Sequence, residues 1–478
     1  MNTAVMCLGK ALLPLFLLVN LGMSIAQGEE THDSDESRSA DFPYSKTLRP
    51  QVEFWKKIFA VYSRYQTVIH DSETMQIYKV LDFRRLRDEE GLDEATISQI
   101  KQDQTKLEIE MLRLTLAKLQ RCLEGTESCE TLDADEQKIW DMYKGVDDLE
   151  RFREAASEDR IRSQTGVRER FQEGVQVSRR YLKAMEEIFR REGLPIELTR
   201  LPLIESSFNL GATSKVGAAG IWQFMPSTGR IYAMRVNDAI DERRDPLIAT
   251  EAAARFLRDN YERLGSWPLA ITAYNHGPGG MATAVSTVGS SDIADIIRYY
   301  RGRAFGFASR NFYPEFLAAL EVEKNSEKHF GTLEMEEAIT YDEVYIDHPI
   351  PFDPAAECAN ATIEDLRSLN PALGSAIHAG DASVPRGYQL RVPSGTAAAF
   401  QERYVVWQEV DRERLAALER ARQERLAALR RARAARLASL RARKSGARRS
   451  VVSRAKGGKR SSGSVVRVSD SRGKKPRG

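Results

Sequence analysis

The stretch from Gly193 to Pro226, GLPIELTRLPLIESSFNLGATSKVGAAGIWQFMP, is the most informative part of this chain. Its first half is an apolar helical segment that ends in Glu205. Burial at the end of an apolar face disfavours the charged form of a carboxylate, so we predict a raised pKa for Glu205. Such a group can hold a proton near neutral pH and donate it to a leaving oxygen. Taken alone, the pattern also fits an exposed glutamate at a helix end.

The second half of the stretch combines small residues with polar groups. Ser214 supplies a hydroxyl, and the small residues up to Gly220 let the backbone approach a ligand. Gln223 and Met225 place an amide and a thioether beside aromatic side chains, a mixture that suits a sugar. Further along the chain, a Tyr-Asn pair at 274–275 precedes a glycine-rich turn. Each piece alone also fits core packing or a plain turn.

Three motifs stand in the order and spacing that is typical of one enzyme family. They are Glu205-Ser206, the segment from Ser214 to Gly220-Ile-Trp-Gln223, and Ala273-Tyr-Asn275. The sequence resembles the family 1 lytic transglycosylases, most closely the membrane-bound lytic murein transglycosylase D type, over about 185–325. It departs at Trp222, where most relatives have Met although the D type shares Trp, and at His276, which we interpret as a structural or rim substitution.

The resemblance implies a role for each motif residue. Glu205 would be the single catalytic acid and base, and Tyr274 would hydrogen-bond and orient it. The bond cleaved would join N-acetylmuramic acid to N-acetylglucosamine, and the muramoyl C6 hydroxyl would close a 1,6-anhydro ring. The residues implied in substrate binding are Ser214 and Gln223 for the N-acetyl group, Met225 for the sugar site and Asn275 as a brace.

Two alternatives to a transglycosylase remain open. A hydrolytic muramidase would need a second carboxylate beside Glu205, at about 5–9.5 Å. The candidates are Asp238, Asp241, Glu242 and Asp245, although a solvated polar loop also explains them. The other alternative is a catalytically silent peptidoglycan-binding scaffold. No cofactor and no metal are expected, because the six His and four Cys lack metal-ligand spacing.

The length and composition predict a mainly α fold with several domains. The 478 residues allow about two to three domains, and 42 % hydrophobic residues exclude a disordered chain. Thr362–Pro371 and Gly387–Pro393 resemble the helix and last strand of a peptidoglycan-binding LysM module. The predicted segments are a signal peptide at 1–26, a disordered linker at 27–44, a helical N-terminal domain at 45–165, a lysozyme-like α catalytic domain at 166–325, a small α/β LysM-like module at 338–395, a basic helix at 405–445 and a disordered basic tail at 446–478.

The first 26 residues predict export. Lys10 precedes an apolar run that ends in Ser-Ile-Ala, the pattern of a cleaved secretory signal. An uncleaved membrane anchor is the alternative. Together with the family resemblance, the signal predicts the bacterial periplasm, with possible membrane association. In that oxidising compartment Cys122 and Cys129 are expected to form a local disulfide. Cys358 would then be a free thiol or form an intermolecular bond.

The C-terminal segment predicts an anionic partner. Residues 412–478 carry 23 Lys and Arg against 4 Asp and Glu, whereas the chain before them is net acidic. Leucines recur there with a period of 11 residues, so they form one stripe on a long helix. We expect this helix to bind an anionic envelope surface, either lipid headgroups or wall polymers, or to self-associate as a coiled coil. The export signal argues against nucleic acid as a partner.

Overall fold

The computed structural model describes residues 41–130 and 132–456, with side chains up to residue 444. Helices dominate this part of the chain and strands are few and short, so the predicted mainly α fold is confirmed. The predicted signal segment, most of the predicted linker and the last residues of the tail lie outside the described residues. No helix among the described residues is long and apolar enough to cross a membrane. The predicted domain boundaries stay a prediction.

The first region combines helices with a small antiparallel sheet of order β2-β1-β3. Its elements are α1 (Arg49–Ala60), β1 (Gln66–Asp71), β2 (Ile77–Asp82), α2 (Arg84–Asp88), α3 (Glu94–Leu123), α4 (Ala134–Met142), α5 (Arg151–Ala155) and β3 (Ile161–Thr165). The sheet corrects the expectation of helices alone over 45–165. After Gln66 every residue of β1 is buried, so the strand lacks the polar alternation that indicates a strand in sequence.

The start of the described chain packs into the core of the second region. The Phe42 ring meets Phe316 edge-on at 5.3 Å, and the Trp55 indole donates a hydrogen bond of 3.0 Å to Asn311. Helix α1 thereby lies against the last long helix of that region. Phe42 is buried, so the end of the segment predicted as a disordered linker is ordered here. An apolar side chain with a core to enter overrides the polar composition around it.

The second region is a bundle of helices around one apolar core. Its elements are α6 (Arg168–Arg191), α7 (Leu201–Glu205), α8 (Pro226–Ile231), α9 (Pro246–Leu264), α10 (Trp267–His276), α11 (Pro278–Val288), α12 (Ile293–Tyr299), α13 (Phe307–Lys324) and α14 (Ser326–Phe330). A 3-10 turn, Ile196–Arg200, leads into α7. Helix α10 is buried on all sides up to Ala273, which is typical of a helix at the centre of a bundle. It contacts α9, α11 and α13.

The small α/β module follows the bundle. Its elements are β4 (Tyr341–Tyr345), β5 (Ile350–Pro351), α15 (Phe352–Ala359), α16 (Ile363–Leu369), α17 (Ser375–His378), β6 (Ser383–Val384) and β7 (Gln389–Pro393). Strand β4 pairs antiparallel with β7, and β5 with β6. Thr362 and Asp365 form a capping box at the start of α16, which confirms the predicted N-cap.

The module is docked on the loop that joins α8 to α9. Asp241 N donates to Ala372 O at 2.7 Å, and Gly374 N donates to Ala239 O at 2.8 Å. A Cβ at Gly374 would lie 2.1 Å from a backbone oxygen of this loop, so only glycine permits the approach. The loop residue Ile240 is buried in the core of the module.

The last helix, α18 (Ala397–Lys456), is longer than predicted at both ends. It starts earlier because Phe400 and Tyr404 are buried in the core of the module. It also continues past Gly446 into the segment predicted as disordered. The leucines of the 11-residue repeat are exposed, with 46–60 % of their surface accessible, and they are Leu415, Leu418, Leu426, Leu429, Leu437 and Leu440.

The cysteines differ from expectation. Cys122, Cys129 and Cys358 are free thiols in the structure, so the predicted disulfide between the first two is not formed there. Cys122 is buried on α3, and its thiol donates to Ser128 O at 3.5 Å. Burial raises the pKa of the Cys122 thiol to about 11, with a smaller contribution from Cys129.

Candidate active site

Helix α7 places Glu205 at the end of a buried apolar turn. Leu201, Pro202 and Leu203 are buried, and Pro202 stands in the first turn, where its missing N–H costs nothing. Glu205 is the last residue of the helix and is half-buried. After Ser206, the residues Ser207 and Phe208 have left-handed φ values of 53° each, and they reverse the chain sharply. Such backbone strain in non-glycine residues persists only where packing enforces it.

Three contacts hold this turn. The Ser206 hydroxyl donates to Ile221 O at 2.9 Å, which ties the turn to the second motif. The Arg170 guanidinium, on α6, donates to Ser206 O at 3.0 Å. A Cβ at Gly174 would lie 2.6 Å from Ser207 O, so α6 approaches the turn backbone to backbone. Arg170 therefore braces the turn.

The electrostatic setting of Glu205 is unusual for a glutamate. Burial raises its pKa from 4.5 to about 8, and no described charge or hydrogen bond lowers it again. The raised pKa predicted from the apolar helix is confirmed. A carboxyl group in this state carries its proton near neutral pH, and it can release the proton to an oxygen that becomes more basic in a reaction.

The second motif forms a compact loop with short backbone pairings. Ser214 N donates to Ala218 O, and the Ser214 hydroxyl accepts from Ala218 N, both at 2.9 Å. Gly220 has a φ of 75°, and a Cβ there would lie 1.8 Å from Arg243 O. The Arg243 guanidinium stabilises the loop by donating hydrogen bonds to Gly217 O at 2.7 Å and to Phe224 O at 2.9 Å.

Within this loop Gln223 and Met225 differ in exposure. Gln223 has a left-handed φ of 50°, and its amide nitrogen donates to Gly220 O at 2.8 Å, so its amide oxygen stays available. Met225 is 38 % exposed and precedes α8. The loop therefore offers polar and apolar groups side by side, as the sequence suggested.

Trp222 and Tyr274 connect the loop to the core. Trp222 is fully buried, its indole donates to the Thr250 hydroxyl at 2.9 Å, and it stacks on Phe189. The Tyr274 hydroxyl donates to Trp222 O at 2.8 Å. Tyr274 therefore does not donate the expected hydrogen bond to Glu205, because its only hydroxyl proton goes to the carbonyl oxygen of Trp222. Burial raises the pKa of Tyr274 well above its usual value, and the nearby charge of Glu205 adds to the rise.

The residues after Tyr274 are held from α13. The Ser309 hydroxyl donates to Asn275 Oδ1 at 2.9 Å and lies 3.3 Å from His276 Nδ1. The His276 ring also meets Phe305 edge-on, at 5.0 Å between ring centres. Asn275 itself is exposed, and the bond from Ser309 occupies its amide oxygen. His276 therefore has a supporting position, as interpreted from the sequence.

A second glutamate with a raised pKa, Glu315, was missed by the sequence analysis. Glu315 is half-buried on α13, a helix that packs against α7. Burial, and then the charge of Glu205, raise the pKa of Glu315 to about 8. A signal was present, since Glu315 is a lone acid between the aromatic residues of Phe312-Tyr-Pro and Phe316.

Three of the four carboxylates considered for a hydrolase are engaged elsewhere. Asp241 binds Arg243 through both oxygens at 2.8 Å. Glu242 accepts two hydrogen bonds of 2.6 Å from Arg235. Asp245 caps α9 and forms a buried ion pair of 2.5 Å with Arg391 of the module. These groups hold the loop and the module in place. Asp238 is likewise part of this loop, where its carbonyl oxygen lies against Gly374.

Comparisons with known proteins agree with the motif assignment. Residues 185–297 match the family model described as the transglycosylase SLT domain, and residues 340–405 match the LysM-like domain of lytic transglycosylase MltD. The resemblance inferred from the motifs is confirmed over these two segments.

Two curated relatives cover parts of the chain. The membrane-bound lytic murein transglycosylase D of Escherichia coli strain K12 is 32 % identical over 233 residues, or 45 % of this chain and 49 % of that protein. A putative tributyltin chloride resistance protein of Alteromonas is 37 % identical over 99 residues, or 20 % of this chain and 48 % of that protein. The chain thus spans about half the length of these relatives.

The comparison with solved structures gave low scores. The 70 kDa soluble lytic transglycosylase SLT70 of Escherichia coli has a TM-score of 0.25 and 21 % identity. The match covers 32 % of this chain and 26 % of that protein.

Proposed function

We propose that this protein is a peptidoglycan lytic transglycosylase. It cleaves the β-1,4 bond between N-acetylmuramic acid and N-acetylglucosamine without water and leaves 1,6-anhydro ends, in turnover or remodelling of the cell wall. One observation carries the proposal: Glu205, in the first family motif, is a desolvated carboxyl group with a pKa of about 8 and no counter-charge among the described residues. The match to the transglycosylase model over 185–297 supports the same reaction.

Glu205 serves as acid and then as base. In its protonated form it gives its proton to the glycosidic oxygen while the bond from that oxygen to the muramoyl anomeric carbon breaks. The resulting carboxylate then takes the proton of the muramoyl C6 hydroxyl, and the C6 oxygen bonds to the anomeric carbon. Glu205 is protonated again at the end of the reaction, and no water is consumed. Holding the hydroxyl next to the reacting carbon favours this attack over a bimolecular one.

The loop residues bind the substrate with the groups that the protein leaves available. The Ser214 hydroxyl accepts from Ala218 N, so its own proton can be donated to the N-acetyl carbonyl. Gln223 offers its amide oxygen to the N-acetyl N–H, and exposed Met225 lies against a sugar face. Asn275 keeps its amide nitrogen for the substrate because Ser309 occupies its oxygen.

Tyr274 acts on Glu205 as an acceptor in this proposal. Its hydroxyl proton is given to Trp222 O, so the lone pairs of the hydroxyl oxygen remain available to the protonated Glu205. The raised pKa keeps Tyr274 neutral throughout the working pH range. The tyrosine thereby orients the acid as a neutral hydrogen-bond acceptor.

The products of digestion test this proposal. Purified peptidoglycan is digested with the wild type and with Glu205→Gln, and the soluble products are analysed by mass spectrometry. We expect anhydro-muropeptides from the wild type alone. Reducing-end muropeptides would identify a hydrolytic muramidase instead, and unchanged lysis by Glu205→Gln would remove Glu205 from the chemistry. Binding without any products from the wild type would identify a scaffold, which the match of 340–405 to a LysM-like domain would then explain.

We further propose that the protein works in the periplasm, exported by residues 1–26 and held at an anionic envelope surface by α18. The support is the exposed leucine stripe of α18 and the arginines that flank it. Helices that combine exposed leucine with arginine bind anionic lipid surfaces, and salt weakens them. Co-sedimentation with phosphatidylglycerol vesicles at low and high salt tests this. Sedimentation velocity of the same protein tests the alternative, self-association through the stripe.

A further inference from the structure

One segment of the chain contacts both the small α/β module and the loop of the second family motif. Residues 236–245, which lead into α9, form this connecting segment, and residues 213–225 form the substrate loop. The connecting segment is hydrogen-bonded to the module through its backbone and to the substrate loop through its side chains. The two sets of contacts come from residues that are neighbours in the chain, so they are mechanically linked.

The contact with the module is centred on Ile240. Ile240 forms an antiparallel backbone bridge with Leu373 of the module, and its side chain is buried in the core of the module. Next to this bridge, Asp241 N donates a hydrogen bond of 2.7 Å to Ala372 O. Apolar burial and backbone hydrogen bonding therefore both fix the position of Ile240 and Asp241 on the module.

The Asp241 side chain connects this fixed position to Arg243. Its two carboxylate oxygens accept hydrogen bonds from Arg243 Nε and Nη2, both at 2.8 Å, so the pair is bidentate. The third guanidinium nitrogen, Nη1, donates to Gly217 O at 2.7 Å and to Phe224 O at 2.9 Å. Each nitrogen of this buried guanidinium thus has a partner, and the group joins Asp241 to both halves of the substrate loop.

The connecting segment also contacts the middle and the start of the substrate loop. A Cβ at Gly220 would lie 1.8 Å from Arg243 O, and Arg244 donates to the Thr213 hydroxyl at 3.0 Å. Gln223 donates its amide to Gly220 O, so the backbone that lies against Arg243 also orients this amide. Gln223 has a left-handed φ of 50°, and a non-glycine residue keeps such a conformation only where its surroundings enforce it.

We propose that the LysM-like module forms part of the transglycosylase site: it holds the substrate loop in its binding conformation, and Arg243 is the positioning residue that transmits this support. The inference rests on the proposed function and deepens it, because it gives the module a role in binding the sugar at the site itself. Glu205 lies on α7, and its turn is held independently by Arg170 of α6. Loosening the substrate loop should therefore raise KM and leave kcat nearly unchanged.

Kinetics on soluble glycan strands test this role. Release of anhydro ends is measured for the wild type, Ile240→Ala, Arg243→Lys, their double variant and the control Ile350→Ala. Ile240→Ala removes the anchor of the connecting segment from the module core, and Ile350→Ala removes the same atoms from the same core within strand β5. Arg243→Lys keeps the positive charge but lacks the planar fork that reaches Asp241 and both carbonyl oxygens.

The expected result is a change in KM that depends on the connecting segment. Ile240→Ala and Arg243→Lys should each raise KM by roughly five- to tenfold, with kcat within about twofold of the wild type. Ile350→Ala should follow the wild type in both constants. The double variant should raise KM no further than Arg243→Lys alone, because both changes interrupt the same chain of contacts.

Hydrogen exchange followed by mass spectrometry gives a readout that does not depend on activity. Backbone amides of residues 213–225 should exchange faster in Ile240→Ala than in the wild type or in Ile350→Ala. If Ile240→Ala does not fold, Gly374→Ala replaces it, because a Cβ there would lie 2.1 Å from Asp238 O and would displace the same contact.

Four results would each overturn the proposal: an unchanged KM in Ile240→Ala, a fall in kcat alone, an equal rise of KM in Ile350→Ala, or KM effects that multiply in the double variant. A fall in kcat alone would mean only that less of the enzyme is folded. A wild type that releases no anhydro ends overturns the proposed function instead. The exchange of residues 213–225 then still decides whether the module holds the substrate loop.

Discussion

Replacing Glu205 by glutamine is expected to stabilise the fold at neutral pH while it removes activity. The folded state holds the Glu205 proton up to a pKa of about 8, whereas the unfolded chain releases it near 4.5. Between these values the folded state binds more protons than the unfolded one, so the free energy of unfolding falls as pH rises. A neutral glutamine does not suffer this loss.

The size of the gain follows from the two pKa values. Each pH unit between these two pKa values lowers the free energy of unfolding by about 1.4 kcal/mol. The wild type has therefore lost about 3 kcal/mol of stability at pH 7 and less than about 1 kcal/mol at pH 5. For a domain of this size, 1 kcal/mol corresponds to roughly 2–4 °C in Tm. We therefore expect Tm of Glu205→Gln to exceed that of the wild type by several degrees at pH 7, with a much smaller difference at pH 5.

Differential scanning calorimetry of both proteins across this pH range measures the effect. The matched control is Glu242→Gln, which removes a buried carboxylate that accepts two hydrogen bonds from Arg235. This control should lower Tm, because it leaves a guanidinium without its partner. A lower Tm for Glu205→Gln at pH 7, or an equal gain at both pH values, would refute the argument from desolvation.

Three further predictions concern the loop, the module and the tail. Gly220→Ala should abolish lysis and lower Tm, because its Cβ would lie 1.8 Å from Arg243 O. Alanine at exposed Gly279, where a Cβ meets nothing within 4 Å, should be tolerated. Normal lysis by Gly220→Ala would contradict the loop geometry. Arg391→Met should lower the free energy of unfolding by about 3–5 kcal/mol, because it leaves Asp245 buried without its partner, as chemical denaturation would measure; an unchanged midpoint would contradict this. Deletion of 412–478 should abolish salt-sensitive vesicle binding and leave activity on soluble glycan unchanged, and a loss of that activity would rule out a purely attaching role.

Patterns local in the chain were predictable from the sequence. The capping box of Thr362 and Asp365 lies within one helical turn, and the structure has it as predicted. The apolar segment before Glu205 predicted both the buried helix α7 and the raised pKa at its end. These features depend on periodicity and on side chains a few residues apart, which the order of residues specifies directly.

Contacts between distant segments were decided by the tertiary structure. The helix of Glu315, α13, packs on α7, the helix of Glu205, and Arg170 reaches Ser206 O from α6. The Tyr274 hydroxyl gives its single proton to Trp222 O, a residue 52 positions earlier in the chain. Motif spacing selects the residue types of a site, because they must carry the chemistry. Which of them meet, and what each is desolvated against, depends on how helices far apart in the chain pack, and a pattern along one dimension does not contain that information.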